Sequence, residues 1–413
     1  MKRLLTCIVC FLSLAISTAR GEDSKDFFFK AGDRVLFLGD SITEQYQYST
    51  DIELYLTTRF PNWNCLFLNA GIGGDTATGG AGRFASHVLA EKPTAITINF
   101  GMNDGGYGAF DQNRNNGYVQ NTAKMLTDAK AAGVRVALCS PNAVDRRIQE
   151  RFKLYLETQK QFYEPLAGLA AKHGASFADQ YAITRGELER MEKDDAKTVI
   201  PFGDGFHTSP NGGLMMAHAI LTALKAPALV SDVSVDAATK ATKTQACVVS
   251  NASVAVDEVE FDRLDESLPL PVQKDWVSLL PYLNDLKDLN WYGLKVAGLA
   301  EGNYKLSIDG VEVGKYSSKQ LTEGVNAGNA TSGPIHAQVQ KVFDAINAKN
   351  GMVHQRFRGV VMFNAPDWLA DVVAERKPAE LNKRMEQIRA KQAEVYELAK
   401  PTKHHWKLER TGS

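Results

Sequence analysis

Between about residues 30 and 225, short apolar runs alternate with longer amphipathic stretches. The runs are Arg34-Val35-Leu36-Phe37-Leu38, Cys65-Leu66-Phe67-Leu68, Ala95-Ile96-Thr97-Ile98-Asn99-Phe100, Val134-Arg135-Val136-Ala137-Leu138-Cys139 and a weaker Ala175-Ser176-Phe177-Ala178. Their apolar character is nearly continuous rather than alternating, which predicts strands covered on both faces. Helices are predicted between and after them over 51–60, 80–91, 118–132, 148–173 and 211–224. Strand and helix in alternation imply a parallel sheet with helices on both sides. In such sheets ligands bind beyond the carboxyl ends of the strands, so the residues that end each run are the first candidates for chemistry.

After about residue 230 the pattern loosens. Residues 230–290 are mixed and polar, with a Leu268-Pro269-Leu270-Pro271 breaker. Tyr304, Leu306 and Ile308 then alternate, Asp309-Gly310 follows, and Val311 and Val313 resume the alternation. That arrangement predicts a β-hairpin. Leu381, Met385, Ile388 and Val395 fall at helical spacing and predict a core-facing helix over 381–400. The chain divides into a sheet unit over 22–230 and a smaller α+β extension over 231–413.

The N-terminus changes the picture. Lys2 and Arg3 precede an apolar run over 4–16, followed by the small residues Ser17, Thr18 and Ala19. A positive start, a short apolar segment and small residues read as a secretory signal over 1–21, which predicts a secreted or periplasmic protein. The run is shorter than the ~20 apolar residues of a comfortable membrane span. No later segment has that length and continuity, so stable membrane insertion is not expected.

Composition excludes two classes of partner. The chain of 413 residues is 44% hydrophobic and 23% charged, with a net charge of -1. It lacks the strongly basic character that nucleic-acid binding requires. Nor would it be drawn to anionic membranes in general. Cys7 and Cys10 lie in the signal, leaving Cys65, Cys139 and Cys247. At most one disulfide is possible among three, and Cys65 and Cys139 sit in apolar runs where cysteine acts as a small hydrophobe. The spacing fits no zinc or haem site.

Four short motifs stand where chemistry is expected. Gly39-Asp40-Ser41 follows the first run and exposes a serine hydroxyl at a strand-to-helix turn. Taken alone, Asp-Ser is also an ordinary helix cap. Gly71-Ile72-Gly73-Gly74-Asp75-Thr76 follows the second run, and its glycines let the backbone approach a ligand. Gly101-Met102-Asn103-Asp104 follows the third and offers a side-chain amide donor. Asp204-Gly205-Phe206-His207 precedes the last helix of the unit, and an aspartate three residues before a histidine can hold its Nδ1–H. Each motif has a bland reading as a cap, a turn or a surface loop. Together they supply a nucleophile, a base, an orienting carboxylate and three oxyanion donors.

On these four blocks the sequence resembles the SGNH hydrolase superfamily, also called GDSL-type esterases and lipases. The resemblance covers about 34–224. It implies a flavodoxin-like three-layer α/β/α sandwich with five parallel strands and an open site without a large lid. It assigns Ser41 as nucleophile, His207 as base and Asp204 as its partner. It places the oxyanion hole at the N–H groups of Ser41 and Gly74 and the amide of Asn103. Among Gly71, Gly73 and Gly74, the last fits the Asn-Ala-x-x-x-Gly-Asp spacing best. Ile42 replaces the usual leucine after Ser41. No metal or organic cofactor is implied. The expected partner is a small-molecule or glycan ester, with short acyl groups such as acetyl on carbohydrate. Two alternatives stay open: a lipase or lysophospholipase, and a catalytically silent glycan-binding or surface module. Tyr107, Phe110 and Asn142 are further candidates for the pocket wall.

Overall fold

The computed structural model describes residues 26–150 and 152–411. The signal expected over 1–21 lies outside them. Five strands, β1 (Arg34–Gly39), β2 (Leu66–Gly71), β3 (Ala95–Asn99), β4 (Arg135–Cys139) and β5 (Ser176–Ala178), form an all-parallel sheet in the order β2-β1-β3-β4-β5. Their side chains are buried on both faces from β1 to β4, as unbroken apolar runs require. The α/β fold is thus the one expected.

The strand ends meet at one level. Gly39 pairs with Gly71 on one side and with Asn99 on the other. Three loops far apart in sequence therefore leave the sheet side by side. A side chain at Gly71 would place its Cβ 2.3 Å from the backbone nitrogen of Glu44, so only glycine lets the two loops touch.

Several helices differ from expectation. The helix expected over 148–173 is two, Phe152–Tyr163 and Leu166–His173. Pro165, which has no N–H to donate, opens the second. The stretch 80–91 begins as the helix Ala77–Arg83, then widens into a π-turn and closes as a 3₁₀ turn. A helix at Gln180–Lys193 was not anticipated; the Asp179 side chain caps it by accepting the Ala182 N–H. The helices Gln47–Arg59, Gln112–Ala131 and Pro210–Ala223 correspond to the remaining predictions.

From Leu229 onward the chain builds two further sheets. One runs β13 (Val325–Asn326), β10 (Trp291–Ala297), β6 (Leu229–Asp236), β7 (Thr242–Gln245). The other runs β12 (Val311–Ser317), β11 (Asn303–Ile308), β14 (His404–Arg410), β9 (Glu258–Asp265), β8 (Cys247–Val254). The hairpin expected at Asp309-Gly310 is β11 to β12, with both turn residues at positive φ, 49° and 79°. The expected tail helix is longer, Ala370–Leu398. Arg263, fully buried, joins the two sheets: it donates to Asp265 at 2.8 Å, to the Ser231 hydroxyl at 2.8 Å and to the Gly293 carbonyl at 3.2 Å.

The extension does not stand apart. Its helix Pro334–Arg356 lies on the helix Gln47–Arg59, where Lys349 Nζ meets Glu53 Oε2 at 2.7 Å, both sealed from solvent. Beside them Asn350 donates to the Thr50 hydroxyl at 2.9 Å. Arg59 reaches across to the carbonyls of Leu229 and Leu289. Cys65, Cys139 and Cys247 are buried free thiols, so no disulfide forms among the described residues. Also among those residues, no helix is long and apolar enough to cross a membrane.

Candidate active site

The first block forms a tight turn at the end of β1. Asp40 caps the short helix Ser41–Glu44, its Oδ1 accepting the Ile42 N–H at 3.0 Å. Capping does not consume the motif: the neighbouring Ser41 hydroxyl faces His207, with Oγ 2.8 Å from Nε2. The cap and the candidate nucleophile are adjacent residues.

His207 is held from behind. Its Nδ1 lies 2.7 Å from Asp204 Oδ2, while Asp204 Oδ1 accepts the backbone N–H groups of His207 and Phe206 at 2.8 and 3.1 Å. With Nδ1 carrying the proton toward the carboxylate, Nε2 is left to accept from Ser41. Burial pushes the Asp204 carboxyl up, but these three hydrogen bonds outweigh it and hold the group below the usual carboxylate range. The turn needs Gly205, at φ 101°, where an added Cβ would strike the Phe152 ring at 2.4 Å. The Gln149 amide fixes the Asp204 carbonyl at 2.6 Å. The side chains of His207 and Asp204 are 31% and 45% exposed, so the site opens to solvent.

The second and third blocks lie beside Ser41. Neither the N–H of Ser41 nor that of Gly74 meets a backbone or side-chain acceptor among the described residues. The neighbouring Gly73 N–H is taken, donating to Glu44 Oε2 at 2.6 Å. The Asn103 amide is fixed from both ends. Its Nδ2 donates to the Asp75 carbonyl at 2.9 Å, and its Oδ1 accepts from the Tyr107 hydroxyl at 3.2 Å. A primary amide has two N–H bonds, so one donor remains.

Three aspartates within the motifs, Asp40, Asp75 and Asp104, form an acidic group whose interactions the spacing alone does not disclose. Burial pushes the Asp40 carboxyl up to about 7 against the pull of the Ile42 N–H, with Asp104 and Asp75 adding to the rise. Burial likewise pushes Asp104, which accepts the Ala77 N–H, up to about 6. Asp75 pairs with Arg83 at 2.8 Å. Gln45 accepts from the backbone and hydroxyl of Thr208, tying the first block to the fourth. Asp75 lay within the second motif with no role assigned; adjacency to the first motif was the only signal for Glu44 and Gln45, and Arg83 had none.

The three wall candidates separate. Tyr107 is at the site, its ring 4.9 Å from Phe206, whose own ring lies 4.2 Å from His207. Asn142 is sealed behind the wall and donates to the Phe206 carbonyl at 3.1 Å. Phe110 packs edge-on against Phe162, with ring centroids 6.3 Å apart.

The chain is similar to several known proteins. The GDSL-like Lipase/Acylhydrolase family matches residues 37–213. Esterase TesA of Pseudomonas aeruginosa is 35% identical over 92 residues, which are 21% of this chain and 44% of that protein. The chain thus spans under half the length of that relative. Thioesterase 1/protease 1/lysophospholipase L1 of Escherichia coli (strain K12) is 30% identical over 162 residues, 38% of this chain and 72% of that protein. Among solved structures, a gut microbial diltiazem-metabolizing enzyme is similar with a TM-score of 0.78 and 26% identity, over 93% of this chain and 98% of that one. The last likeness takes in the extension as well as the parallel sheet. The chain belongs to the GDSL-like lipase/acylhydrolase family of ester hydrolases.

Proposed function

We propose that this protein cleaves carboxylic esters through an acyl-enzyme on Ser41. The single observation that carries the reading is the relay of 2.8 Å from Ser41 Oγ to His207 Nε2 and 2.7 Å from His207 Nδ1 to Asp204. His207 takes the hydroxyl proton as Ser41 attacks the ester carbonyl, and Asp204 stabilises the imidazolium. The N–H groups of Ser41 and Gly74 and the free N–H of Asn103 receive the oxyanion. The imidazolium protonates the departing alcohol. His207 then activates water, which releases the acyl group and restores Ser41.

The proposed substrates carry short acyl groups such as acetyl on a carbohydrate, met outside the cytoplasm after removal of 1–21. The aromatic wall of Tyr107 and Phe206 against His207 supports a confined acyl side. A second reading, a lipase or lysophospholipase, is favoured by the Escherichia coli relative, named a thioesterase, protease and lysophospholipase.

A fluorophosphonate probe should label Ser41 and no other serine. Turnover of p-nitrophenyl esters should be greatest at acetate and fall with chain length. Labelling elsewhere would overturn the nucleophile. Rates that climb with chain length would replace the first reading with the second.

A further inference from the structure

Glu44 stands three residues after Ser41, and its two carboxylate oxygens serve different partners. Oε2 accepts the Gly73 N–H at 2.6 Å. Oε1 accepts Nε of Arg358 at 2.6 Å and a second N–H from the same guanidinium. Arg358 lies 314 residues from Glu44 in sequence, in the turn Phe357–Val361 that follows the extension's helix Pro334–Arg356. Gly73 directly precedes Gly74, one of the three donors of the proposed oxyanion hole.

We propose that Arg358 is a positioning residue for this hydrolase: by gripping Glu44, it fixes the loop that presents the Gly74 N–H. The proposal rests on the ester hydrolase reading above. A glutamate side chain has several rotatable bonds, and one hydrogen bond to a backbone N–H leaves it free to swing. A guanidinium bound through two N–H groups locks its rotamer. Carboxylate and loop are in direct contact: a Cβ at Gly73 would lie 3.2 Å from Glu44 Oε2. The other flank of the loop is clamped by a pair of the same chemistry. Arg83 binds Asp75 at 2.8 Å and also donates to the Gly39 carbonyl at 3.4 Å. One clamp comes from within the parallel-sheet unit, and the other is lent by the extension.

Oxyanion donors must be in place before charge develops, and a displacement near 1 Å can cost ~10²-fold in rate. Because the Arg83–Asp75 clamp remains, loss of Arg358 should cost less than deleting a donor outright, ~10-fold in kcat against ~10²–10³-fold.

The test measures kcat and KM on p-nitrophenyl acetate for the full chain and for Arg358→Ala, Arg358→Lys and Arg384→Ala, with Ser41→Ala as the blank. Arg384 pairs with Glu380 on the extension's helix Ala370–Leu398 and serves as a control for lost surface charge. Arg358→Ala should lose ~10-fold in kcat with KM within about twofold, the signature of an interaction realised in the transition state. Arg358→Lys should recover part of the rate. The Arg358 side chain is 35% exposed, so added guanidinium ion at sub-denaturing concentration can enter its place. It should raise kcat of Arg358→Ala and leave wild type and Arg384→Ala unchanged. An unchanged kcat in Arg358→Ala, or a loss that neither lysine nor guanidinium restores, would overturn the proposal. Should Arg358→Ala not fold, Glu44→Gln decides: kcat is expected to fall with KM held, and an intact kcat overturns it. A wild type without Ser41-dependent turnover would sink the ester hydrolase reading itself, a result distinct from an active wild type indifferent to Arg358.

Discussion

In β1, β2, β3 and β4 nearly every position is buried, whereas in β9 and β14 buried and exposed positions alternate. The first region is a parallel sheet covered on both faces, and the second a pair of one-sided sheets closed over Arg263 and Trp406. Parallel strands all point their carboxyl ends one way, so their loops converge and can assemble a site. In the extension β6 and β10 pair in parallel but the other described pairings are antiparallel, so most of its successive loops leave by opposite ends of the sheets. What the extension brings is indirect. It meets the sheet unit through charged pairs, Lys349 on Glu53 and Arg358 on Glu44, one sealed and one at the site's edge.

The largest way to break this division of labour is Ser41→Ala. It should cut kcat by ~10⁴-fold or more while the melting temperature holds, since the hydroxyl removed bonds the part-exposed His207. A comparable rate in the variant would move the chemistry elsewhere. Next is the seam. Lys349→Met strands a buried Glu53 carboxylate and should cost ~3–5 kcal/mol in chemical denaturation. Two separate unfolding transitions in the wild type, or no loss in the variant, would show two independent bodies instead of one.

The narrowest effect, confined to a window of pH, concerns Asp40. Its folded carboxyl is pushed up to about 7 by burial, from an unfolded value of about 3.9. A raised acid favours the protonated fold, so its contribution is complete below about pH 4 and is lost as pH rises through about 7. Asp40→Asn keeps a cap without a titrating group. The stability of wild type relative to this variant should therefore fall between those pH values. A difference that stays constant would count against a buried, raised carboxyl at this turn.

The two regions also differed in how openly their sequences spoke. The strands β1 to β4 were legible because burial on both faces leaves unbroken apolar runs, whereas β5, with Ser176 exposed, reads more weakly. Three of the motifs were legible because each follows such a run, and the fourth because it precedes a helix. The helix Gln180–Lys193 stayed hidden because Gln180 and Thr184 stand beside Leu188 and Met191 on its buried side. The helix Pro334–Arg356 buries Lys349, Asn350 and Arg356, which masks its apolar stripe. In β7 every residue is exposed, so no pattern marks it. At the site, the motifs and the family resemblance pointed to Ser41, Gly74, Asn103, Asp204 and His207; hydrogen bonds link Ser41, His207 and Asp204, and Asn103 sits on the carbonyl of Asp75, next to Gly74. The grip of Arg358 on Glu44 joins residues with no local relation, and only the folded chain makes it visible.

The position of β14 has a consequence for how the protein is made. This strand, at residues 404–410, lies between β11 and β9 and is thus the middle of its five-stranded sheet. During synthesis the parallel sheet is free of the ribosome long before this piece emerges. Until it does, β11 and β9 present two unzipped edges that invite wrong partners. A premature stop codon upstream of residue 404 would leave that gap permanent, and quality-control proteases would meet a parallel sheet tethered to a split one.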